Sequence, residues 1–399
     1  MPATDRPHTE VTRRVAVFRE AWLLGSETFI RNQVTLLTRW QAHPVGMKKV
    51  ESPLAAPTDL IAAPGGLRGR LARVGLRWFG RSQRLTAALR RLGPDLIHAH
   101  FARDAIIIAP LAARLGIPLV VTLHGSDITA LPNAPGRAGR RYRRQLRAMF
   151  GQAERIIVVS EFIRDQALRH GAPHDRVVVS YIGIPLTDRS SAAPIAERRA
   201  RDAADAETGT RYELLFVGRL VGKKGVADAI DAIAALPQHL RERVRFTVAG
   251  AGPLREALEA QAAARGIEAR FLGAVDSAQA RELMEESHLF LAPSRRAPNG
   301  DSEGFGMVFA EAAAAGLPVV SYRHGGVPEA VADGQTGLLV DEGDVAGLST
   351  ALQRLLEDPA EARKLGEAGA ARVAAKFDCA VLTAELEDIY DAARASARS

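Results

Sequence analysis

Two glutamates stand close together in a glycine-rich stretch of the chain. The stretch is GDSEGFGMVFAEAAAAGLPVV, in which seven residues separate Glu303 from Glu311. Gly304 and Gly306 permit a tight turn, and the apolar run that follows predicts a helix ending at Gly316. Glu303 precedes this helix, whereas Glu311 lies inside it, where a carboxylate is costly to bury unless it is paired or bound. Such a pair suits either acid–base chemistry or the binding of a ligand.

Cationic side chains follow a predicted strand in the segment FVGRLVGKKGV. Gly218, Arg219 and Lys224 stand there between the strand and a helix. Two separated cations beside glycines suit a diphosphate, because each balances one phosphate while the backbone approaches closely. A solvated basic loop is the competing interpretation of this segment taken alone.

Three other loops place polar groups at strand ends or helix starts. VVTLHGSDI carries His124 and Asp127, and VAGAGPL carries Gly252. Taken alone, the first loop is equally explained by a histidine that is hydrogen-bonded within a turn, and the second by a plain tight turn. In WLLGSETFIRNQ, Ser26 is a predicted N-cap and Glu27 belongs to the first helical turn. That helix start offers N–H groups to an anion or a sugar hydroxyl, with simple capping as an equal alternative.

The elements that must position these residues alternate along the chain. Short apolar runs and longer helical patterns follow one another, which predicts parallel sheets covered by helices on both faces. Ligands bind such sheets at the carboxyl ends of the strands, where the loops above lie. The runs predicted as strands are RVAVF, HPVGMK, LIHAHF, PLVVTLHG, RIIVVS, RVVVSYIG, YELLFVGR, RFTVAG, ARFLGAV, LFLAPS, LPVVSY and GLLV.

The length of 399 residues favours two domains over one core. A polar, strand-free segment predicts a linker at 188–210, between an acceptor-side domain at 1–187 and a donor-binding domain at 211–379. An amphipathic helix at 380–399 follows the second sheet. It can pack on its own domain or return to the first, and the sequence leaves both placements open.

Composition and termini bound the class of protein. Hydrophobic residues make up 47% and charged residues 25% of the chain, which is typical of a soluble globular protein. The single cysteine, Cys379, fits a reducing compartment. The first ten residues lack the order of a signal peptide, and no apolar run reaches the ~18 residues that span a bilayer. We therefore expect a cytoplasmic protein.

Charge is distributed unevenly along the chain. Residues 1–187 hold 28 Lys and Arg against 13 Asp and Glu, and the remainder holds 25 against 33. Segment 67–91 has eight arginines and no acid, and segment 137–147 has six arginines. These basic segments predict peripheral contact with an anionic membrane, although an ordinary surface helix is the alternative. They lack the spaced aromatics of a nucleic-acid stacking platform, so no nucleic-acid partner is expected.

Together and in this order, the motifs resemble the family-4 retaining glycosyltransferases. The resemblance rests on Gly218-Arg219 with Lys224, LHGSD, VAGAGPL, the E-x7-E pair and HGGVPE, and it covers nearly the whole chain. GSETFIRNQ, IHAHFARDA and GDSEGFGMVFAEA resemble more narrowly the members that build colanic acid and other exopolysaccharides. The resemblance implies an α/β protein of the GT-B fold: two Rossmann-like, doubly wound parallel-sheet domains that face each other across a cleft.

The resemblance also implies a reaction and a role for each motif. A sugar would pass with retention from a nucleotide-diphosphate sugar to a glycan or lipid-linked acceptor, with no metal and no cofactor. Arg219 and Lys224 would stabilise the leaving diphosphate, Glu303 and His124 would contact the sugar or phosphate, and Glu311 would bind the ribose. The implied donor-binding residues are Gly218, Arg219, Lys224, Gly252, Leu272, Glu303, Gly304, Phe305, Gly306, Met307 and Glu311. The implied acceptor-side residues are Gly25, Ser26, Glu27, His124 and Asp127.

One departure from the family and several alternatives stay open. Many members carry Gly-Gly where this chain has Gly25-Ser26, which puts the acceptor contacts in doubt. Asp301-Ser302-Glu303 resembles a D-x-D metal motif only superficially. A GT-B sugar-nucleotide epimerase and a non-catalytic nucleotide-sugar binder are the competing functions. The donor sugar, its base and the acceptor do not follow from the sequence.

Overall fold

The computed structural model describes residues 13–25, 27–63, 65–186 and 211–398. They form two compact units, one ending at Gly183 and resuming at Cys379, the other running from Ile184 to Asp378. The predicted linker at 188–210 lies outside the described residues.

The first unit is built on a seven-stranded sheet in the order β3-β2-β1-β4-β5-β6-β7. All of its strand pairs are parallel. The order reverses between β1 and β4, which marks a switch point where ligands bind in open α/β sheets. The strands are β1 (Arg13–Trp22), β2 (Trp40–Lys49), β3 (Leu60–Ile61), β4 (Leu96–His100), β5 (Leu119–Leu123), β6 (Ala153–Val158) and β7 (Val177–Val179).

The second unit has a six-stranded sheet in the order β10-β9-β8-β11-β12-β13, again parallel throughout. Its switch point lies between β8 and β11, so the two units repeat one doubly wound architecture. The strands are β8 (Tyr212–Val217), β9 (Val244–Ala249), β10 (Ala269–Gly273), β11 (Leu289–Leu291), β12 (Val319–Tyr322) and β13 (Gly337–Val340).

Helices connect the strands and cover the sheets. In the first unit they are α1 (Thr28–Leu36), α2 (Leu67–Phe79), α3 (Gln83–Leu92), α4 (Ala102–Leu115), α5 (Ser126–Thr129), α6 (Gly136–Gln152), α7 (Glu161–Arg169) and, after the second unit, α16 (Cys379–Ser396). In the second unit they are α8 (Val226–Ala234), α9 (Gln238–Arg241), α10 (Arg255–Ala264), α11 (Ser277–Glu286), α12 (Met307–Ala314), α13 (Val327–Ala330), α14 (Val345–Glu357) and α15 (Pro359–Lys376).

The apolar runs form strands because both faces of each sheet are covered. Every residue of β4 and β5 is buried, as the continuous patterns LIHAH and LVVTL predict. The twelve predicted strands are confirmed. The prediction missed β3, whose two residues are too few to form a pattern and which pairs only at the edge of the sheet.

The last helix, α16, returns to the first sheet. The carboxylate of Glu387 on this helix accepts hydrogen bonds from the backbone N–H groups of Thr38, Arg39 and Trp40, at 2.6–3.0 Å. The hydroxyl of Tyr390 lies 2.6 Å from Nδ1 of His98 in β4. Glu387 and Tyr390 are each 1% exposed, so buried hydrogen bonds from these two side chains hold α16 against the first sheet.

The basic segment 67–91 forms two helices rather than one. Gly80 ends α2 in the left-handed conformation (φ 60°), and its carbonyl accepts a hydrogen bond from Arg114. α2 packs on α4 and leaves Leu67, Leu71 and Phe79 more than half exposed. In the described part of the chain, no helix is both long and apolar enough to cross a bilayer.

Candidate active site

The loop after β8 carries the two predicted cations to the carboxyl end of the second sheet's first strand. Gly218 and Arg219 follow the strand, and a short 3-10 turn at Gly222–Lys224 leads into α8. Arg219 is exposed, and its guanidinium forms no ion pair with any residue that the structure describes. A cation therefore stands free at the position where this fold class binds ligands.

Two lysines of this loop pair with two acids of the glycine-rich stretch. Nζ of Lys224 lies 2.5 Å from Oε2 of Glu303, and Nζ of Lys223 lies 2.9 Å from Oδ2 of Asp301. All four side chains are at most 16% exposed. No role was predicted for Lys223, although it stands directly before Lys224 in the same glycine-flanked loop.

Glu303 is held as an anion by its neighbours. Burial alone would raise the pKa of Glu303, but the positive charges of Lys224 and Lys223 and the hydrogen bond from Lys224 lower it below the ordinary value. The carboxylate is therefore ionised at neutral pH. This favours a fixed electrostatic and hydrogen-bonding role over that of a proton donor.

The predicted helix starts beside this ion pair. α12 begins at Met307, after Gly306, whose positive φ of 84° favours glycine at this cap. Phe305 is 2% exposed and packs edge-on against Phe377, with 5.1 Å between ring centroids. The first N–H groups of a helix have no intrahelical acceptor, so a helix terminus of the kind that suits an anion lies next to Glu303.

The HGGVPE segment supports the turn before α12. The N–H of Gly326 donates to the carbonyl of Glu303 at 3.0 Å, and a Cβ on Gly326 would lie 2.1 Å from the carbonyl oxygen of Gly304. Only glycine fits this approach. Nδ1 of His324 lies 2.6 Å from Oε2 of Glu342, while burial lowers the pKa of His324 despite the opposing charges of Glu342 and Glu303. In the sequence, only the HGGVPE segment pointed to His324.

Glu311 lies further along α12 and is half-buried. Its side chain forms no hydrogen bond or ion pair with the residues that the structure describes. Burial raises the pKa of Glu311, although the charges of Arg281 and Lys224 oppose this. A carboxylate with free acceptor positions can bind two neighbouring hydroxyls of a ligand.

Two other predicted donor residues lie at neighbouring strand ends of the same sheet. Gly252 belongs to the turn after β9, which is tied to the loop after β8 by a hydrogen bond of 2.9 Å from Leu220 N to Ala251 O. Leu272 is half-buried near the end of β10. The second unit thus brings every predicted donor residue to the carboxyl edge of one sheet.

In the first unit, a buried ion-pair cluster occupies the switch point. Arg19, at the carboxyl half of β1, pairs with Glu27 through Nη2 and with Asp104 through Nη1. Its guanidinium lies 4.3 Å from the ring centroid of Phe101. Glu27 also accepts the N–H of Leu24 at 3.0 Å. The cluster joins the loop after β1 to the start of α4, and the sequence analysis assigned no role to Arg19 or Asp104.

The observed start of α1 differs from the predicted one. The helix begins at Thr28, and Glu27 occupies the N-cap position without a side-chain capping bond, so its placement in the first turn was wrong. The carboxylate of Glu27 pairs with Arg19 and does not cap an N–H group of the helix. Gly25 is exposed with open space around it, and Ser26 lies outside the described residues.

His124 follows β5 and stands in an aromatic cage. Its ring centroid lies 4.4 Å from that of Phe101 and 4.9 Å from that of Phe29, and its Nε2 lies 3.2 Å from Nδ1 of His100. Burial lowers the pKa of His124 well below the ordinary value, and Arg19 lowers it further. The imidazole is therefore neutral. Its buried Nδ1 has no hydrogen-bond partner in the described chain.

Asp127 organises the loop that carries His124. Its carboxylate accepts hydrogen bonds from the N–H groups of Ala102 and Gly125, both at 2.8 Å, and of His124 at 3.2 Å. The side chain is 1% exposed. Its observed contacts are therefore with the backbone of the loop and of the first turn of α4.

The fold and these sites define a glycosyltransferase of the GT-B class. Family models agree: that of Glycosyl transferases group 1 matches residues 197–372, and that of Glycosyltransferase Family 4 matches residues 26–188. The chain belongs to the family-4 glycosyltransferases, which confirms the resemblance noted in its sequence. An epimerase is not favoured, because these models and the relatives below are transferases.

Curated relatives support this assignment, and a solved structure supports the fold. The glycogen synthase of Mycobacterium tuberculosis (strain H37Rv) is 32% identical over 358 residues, which cover 85% of this chain and 78% of the relative. The GDP-mannose-dependent alpha-(1-6)-phosphatidylinositol monomannoside mannosyltransferase of Mycolicibacterium smegmatis is 34% identical over 278 residues, 67% of this chain and 69% of the relative. Anabaena Alr3699/HepE, solved in complex with UDP, superposes with a TM-score of 0.76 at 20% identity, over 95% of this chain and 100% of that one.

Proposed function

We propose that this protein is a retaining, metal-independent glycosyltransferase of exopolysaccharide or related glycan biosynthesis. It moves a sugar from a nucleotide-diphosphate sugar to a glycan or lipid-linked acceptor. The observation that carries the proposal is the Lys224–Glu303 ion pair, at 2.5 Å, beside the N-terminus of α12.

The chemistry required of the donor site is stabilisation of a leaving group. Negative charge grows on the β-phosphate as the nucleoside diphosphate departs. Arg219, Lys224 and the α12 N-terminus supply fixed positive potential for that charge, which lowers the barrier electrostatically. Glu303, kept ionised by the lysines, accepts hydrogen bonds from sugar hydroxyls, and Glu311 accepts them from the ribose. As the bond between the anomeric carbon and the diphosphate oxygen breaks, the acceptor hydroxyl bonds to that carbon from the face that the diphosphate leaves, and its proton passes to the departing phosphate. Attack from this same face retains the configuration.

The ion pairs also support independence from a divalent cation. A D-x-D-type site needs carboxylates that are free to coordinate a metal. Asp301 and Glu303 are each neutralised by a lysine at 2.9 Å and 2.5 Å. The positive potential that a metal would supply to a diphosphate is left mainly to Arg219, which has no ion pair with the described residues, and to the N-terminus of α12.

The similar proteins point to two nucleotide bases for the donor, uracil and guanine. HepE is solved with UDP, and the mycobacterial mannosyltransferase is named for GDP-mannose. The exopolysaccharide assignment rests on the resemblance of GSETFIRNQ, IHAHFARDA and GDSEGFGMVFAEA to that subgroup. A protein of this kind needs no cofactor beyond the nucleotide sugar, its co-substrate.

We further propose that the first unit works at the cytoplasmic face of an anionic membrane. α2 exposes Leu71, Val74 and Phe79 at 48–71%, among exposed arginines such as Arg70. An apolar stripe beside cations suits insertion at an anionic interface. Replacing Leu71 and Val74 by Gln should lower flotation with phosphatidylglycerol vesicles, and unchanged flotation would contradict this placement.

The decisive experiment is a thermal-shift screen against UDP- and GDP-sugars, followed by transfer assays. We expect one nucleotide sugar to raise the apparent Tm, because ligands that bind only the native state stabilise it. Transfer should proceed with EDTA present, and NMR of the product should show the donor's anomeric configuration. An inverted product or an absolute need for Mg²⁺ would refute the mechanism. Donor binding without transfer to any glycan or lipid acceptor would favour a binding protein.

A further inference from the structure

A groove of about 400 Å³ lies on the surface of the first unit, and none of the donor-binding or acceptor-side residues named above lines it. Its walls come from α2, α4, α6 and the turn before α6, so residues distant in sequence meet there. None of the described residues that line it is acidic. It is lined by the amide of Gln145, by three arginines (Arg77, Arg103 and Arg141), and by apolar or aromatic side chains that include Ile106, Leu131 and Tyr142.

Two of the three arginines in this groove, Arg77 and Arg103, are unpaired or only weakly paired with the described residues. Arg77 makes no ion pair with a residue that the structure describes. The side chain of Arg103 is 53% exposed, and its ion pair with Glu20 is long, at 3.8 Å. Guanidinium groups match the oxygens of a phosphate with paired hydrogen bonds, and several around one volume favour a phosphate over a single carboxylate.

Much of the remaining wall of the groove is apolar. Leu131 is 38% exposed, and Ile106 is half-buried. On α2, Val74 stands one turn before Arg77 and is 48% exposed, so an apolar surface continues beside the cation. Apolar walls add nothing to the binding of inorganic phosphate. They add affinity for a phosphate that carries a hydrocarbon chain.

The groove is joined to the loop of His124. The hydroxyl of Tyr142 donates to the backbone carbonyl of Asp127 at 2.7 Å, and the Asp127 carboxylate holds the N–H of His124 at 3.2 Å. We propose that the groove binds the phosphate of an amphiphilic acceptor, a phosphate or diphosphate ester of a long apolar alcohol. The proposal rests on the proposed function, of which it specifies the acceptor.

Titration calorimetry with decyl phosphate, below its micelle concentration, tests the groove in the full-length protein. The groove variant is Arg77→Gln with Arg141→Gln. The matched control is Arg70→Gln with Arg144→Gln, which removes two exposed arginines from the same helices outside the groove. We expect saturable binding that weakens about tenfold or more in the groove variant and about twofold or less in the control. Equal weakening in both, or no saturable binding to the wild type, would overturn the proposal.

Two further arms identify the ligand chemistry. Leu131→Gln should weaken the binding of decyl phosphate and leave the binding of inorganic phosphate unchanged. Inorganic phosphate should bind the wild type more weakly than decyl phosphate does. Equal affinity for the two probes would refute an amphiphilic ligand. In flotation with phosphatidylglycerol vesicles, the groove variant and its control should lose binding equally. Loss confined to the groove variant, with decyl phosphate binding intact, would assign the groove to bilayer headgroups and overturn the acceptor role.

The outcome is separable from that of the proposed function. Decyl phosphate is titrated without a donor, and the thermal shift caused by a nucleotide sugar is measured separately on the groove variant. An unchanged donor shift with lost decyl phosphate binding supports the proposal. Wild-type binding of decyl phosphate without any donor shift would defeat the transferase mechanism while the groove stands as an amphiphile site.

Discussion

Nζ of Lys224 lies 2.5 Å from Oε2 of Glu303, although 79 positions separate the two residues in the chain. The loop after β8 and the turn before α12 meet at the carboxyl edge of the second sheet, and this pair joins them. An ion pair with both side chains 14% exposed is poorly screened by solvent, so its two charges attract each other strongly and hold the loop and the turn together.

Glu303→Gln and Lys224→Gln should each abolish most of the turnover. In the proposed mechanism either change removes a fixed charge that contacts the reacting sugar or diphosphate, and losses of about 10²–10³-fold in kcat are typical for such groups. Steady-state kinetics with the donor found in the thermal-shift screen measures the effect. As a control, Lys364→Gln changes one charge of α15 away from these loops and should leave kcat unchanged. Full activity of Glu303→Gln would exclude the proposed role of the first glutamate.

Glu311→Gln should stabilise the protein at neutral pH and weaken nucleotide binding. Because burial raises the pKa of Glu311, the folded state disfavours the ionised form, and this cost is present above the unfolded-state pKa. The variant's advantage in free energy of unfolding should therefore shrink as pH falls through the folded-state pKa and vanish below the unfolded one. Urea unfolding at several pH values checks the sign of this change.

The same variant tests the ribose contact. A lost hydrogen bond to a charged acceptor should weaken nucleotide affinity about 10- to 100-fold. Calorimetric titration with the nucleoside diphosphate measures this, with the 2′,3′-dideoxy analogue as the matched ligand. Equal weakening for the analogue, which lacks both hydroxyls, would show that Glu311 does not act through the ribose.

Glu387→Ala should loosen α16 from the first unit. The change leaves three backbone N–H groups of residues 38–40 without their acceptor in a buried contact, which costs at least about 2 kcal/mol. Asp388→Asn is the control: its side chain is 72% exposed and pairs with Arg39 at the surface, where a pair contributes about 0–1 kcal/mol. Hydrogen exchange of β2 and α16 locates the effect, and equal stability of the two variants would contradict the anchoring role.

Arg19→Met should destabilise the first unit by about 3–5 kcal/mol, since it leaves the carboxylates of Glu27 and Asp104 buried without their cation. Calorimetric scanning measures the change. Arg19→Met with Glu27→Gln and Asp104→Asn should recover much of the loss, because the uncompensated charges are then gone. A single variant as stable as the wild type would show that the cluster does not hold the loops after β1 and β4.

Much of the fold follows from local pattern. Strands buried on both faces need continuous apolar runs, so twelve of them were visible, and the motifs lay where a doubly wound sheet places its ligands. The two-residue β3 escaped detection because its pairing depends on β2 rather than on its own composition. The start of α1 was misplaced by one residue, since the capping preference of Ser26 and Glu27 does not reveal that the Glu27 carboxylate pairs with Arg19 on the preceding strand, β1.

The sequence by itself determined the architecture, the family and the residue types of the donor site, since periodicity and motif spacing are properties of contiguous residues. Only the tertiary structure decided which charges pair. Lys224 neutralises Glu303, Glu387 binds the backbone of residues 38–40, and Arg77 and Arg141 share a groove from different helices. These relationships depend on distances across the fold, and Coulomb and hydrogen-bond energies act through those distances rather than through separation along the chain.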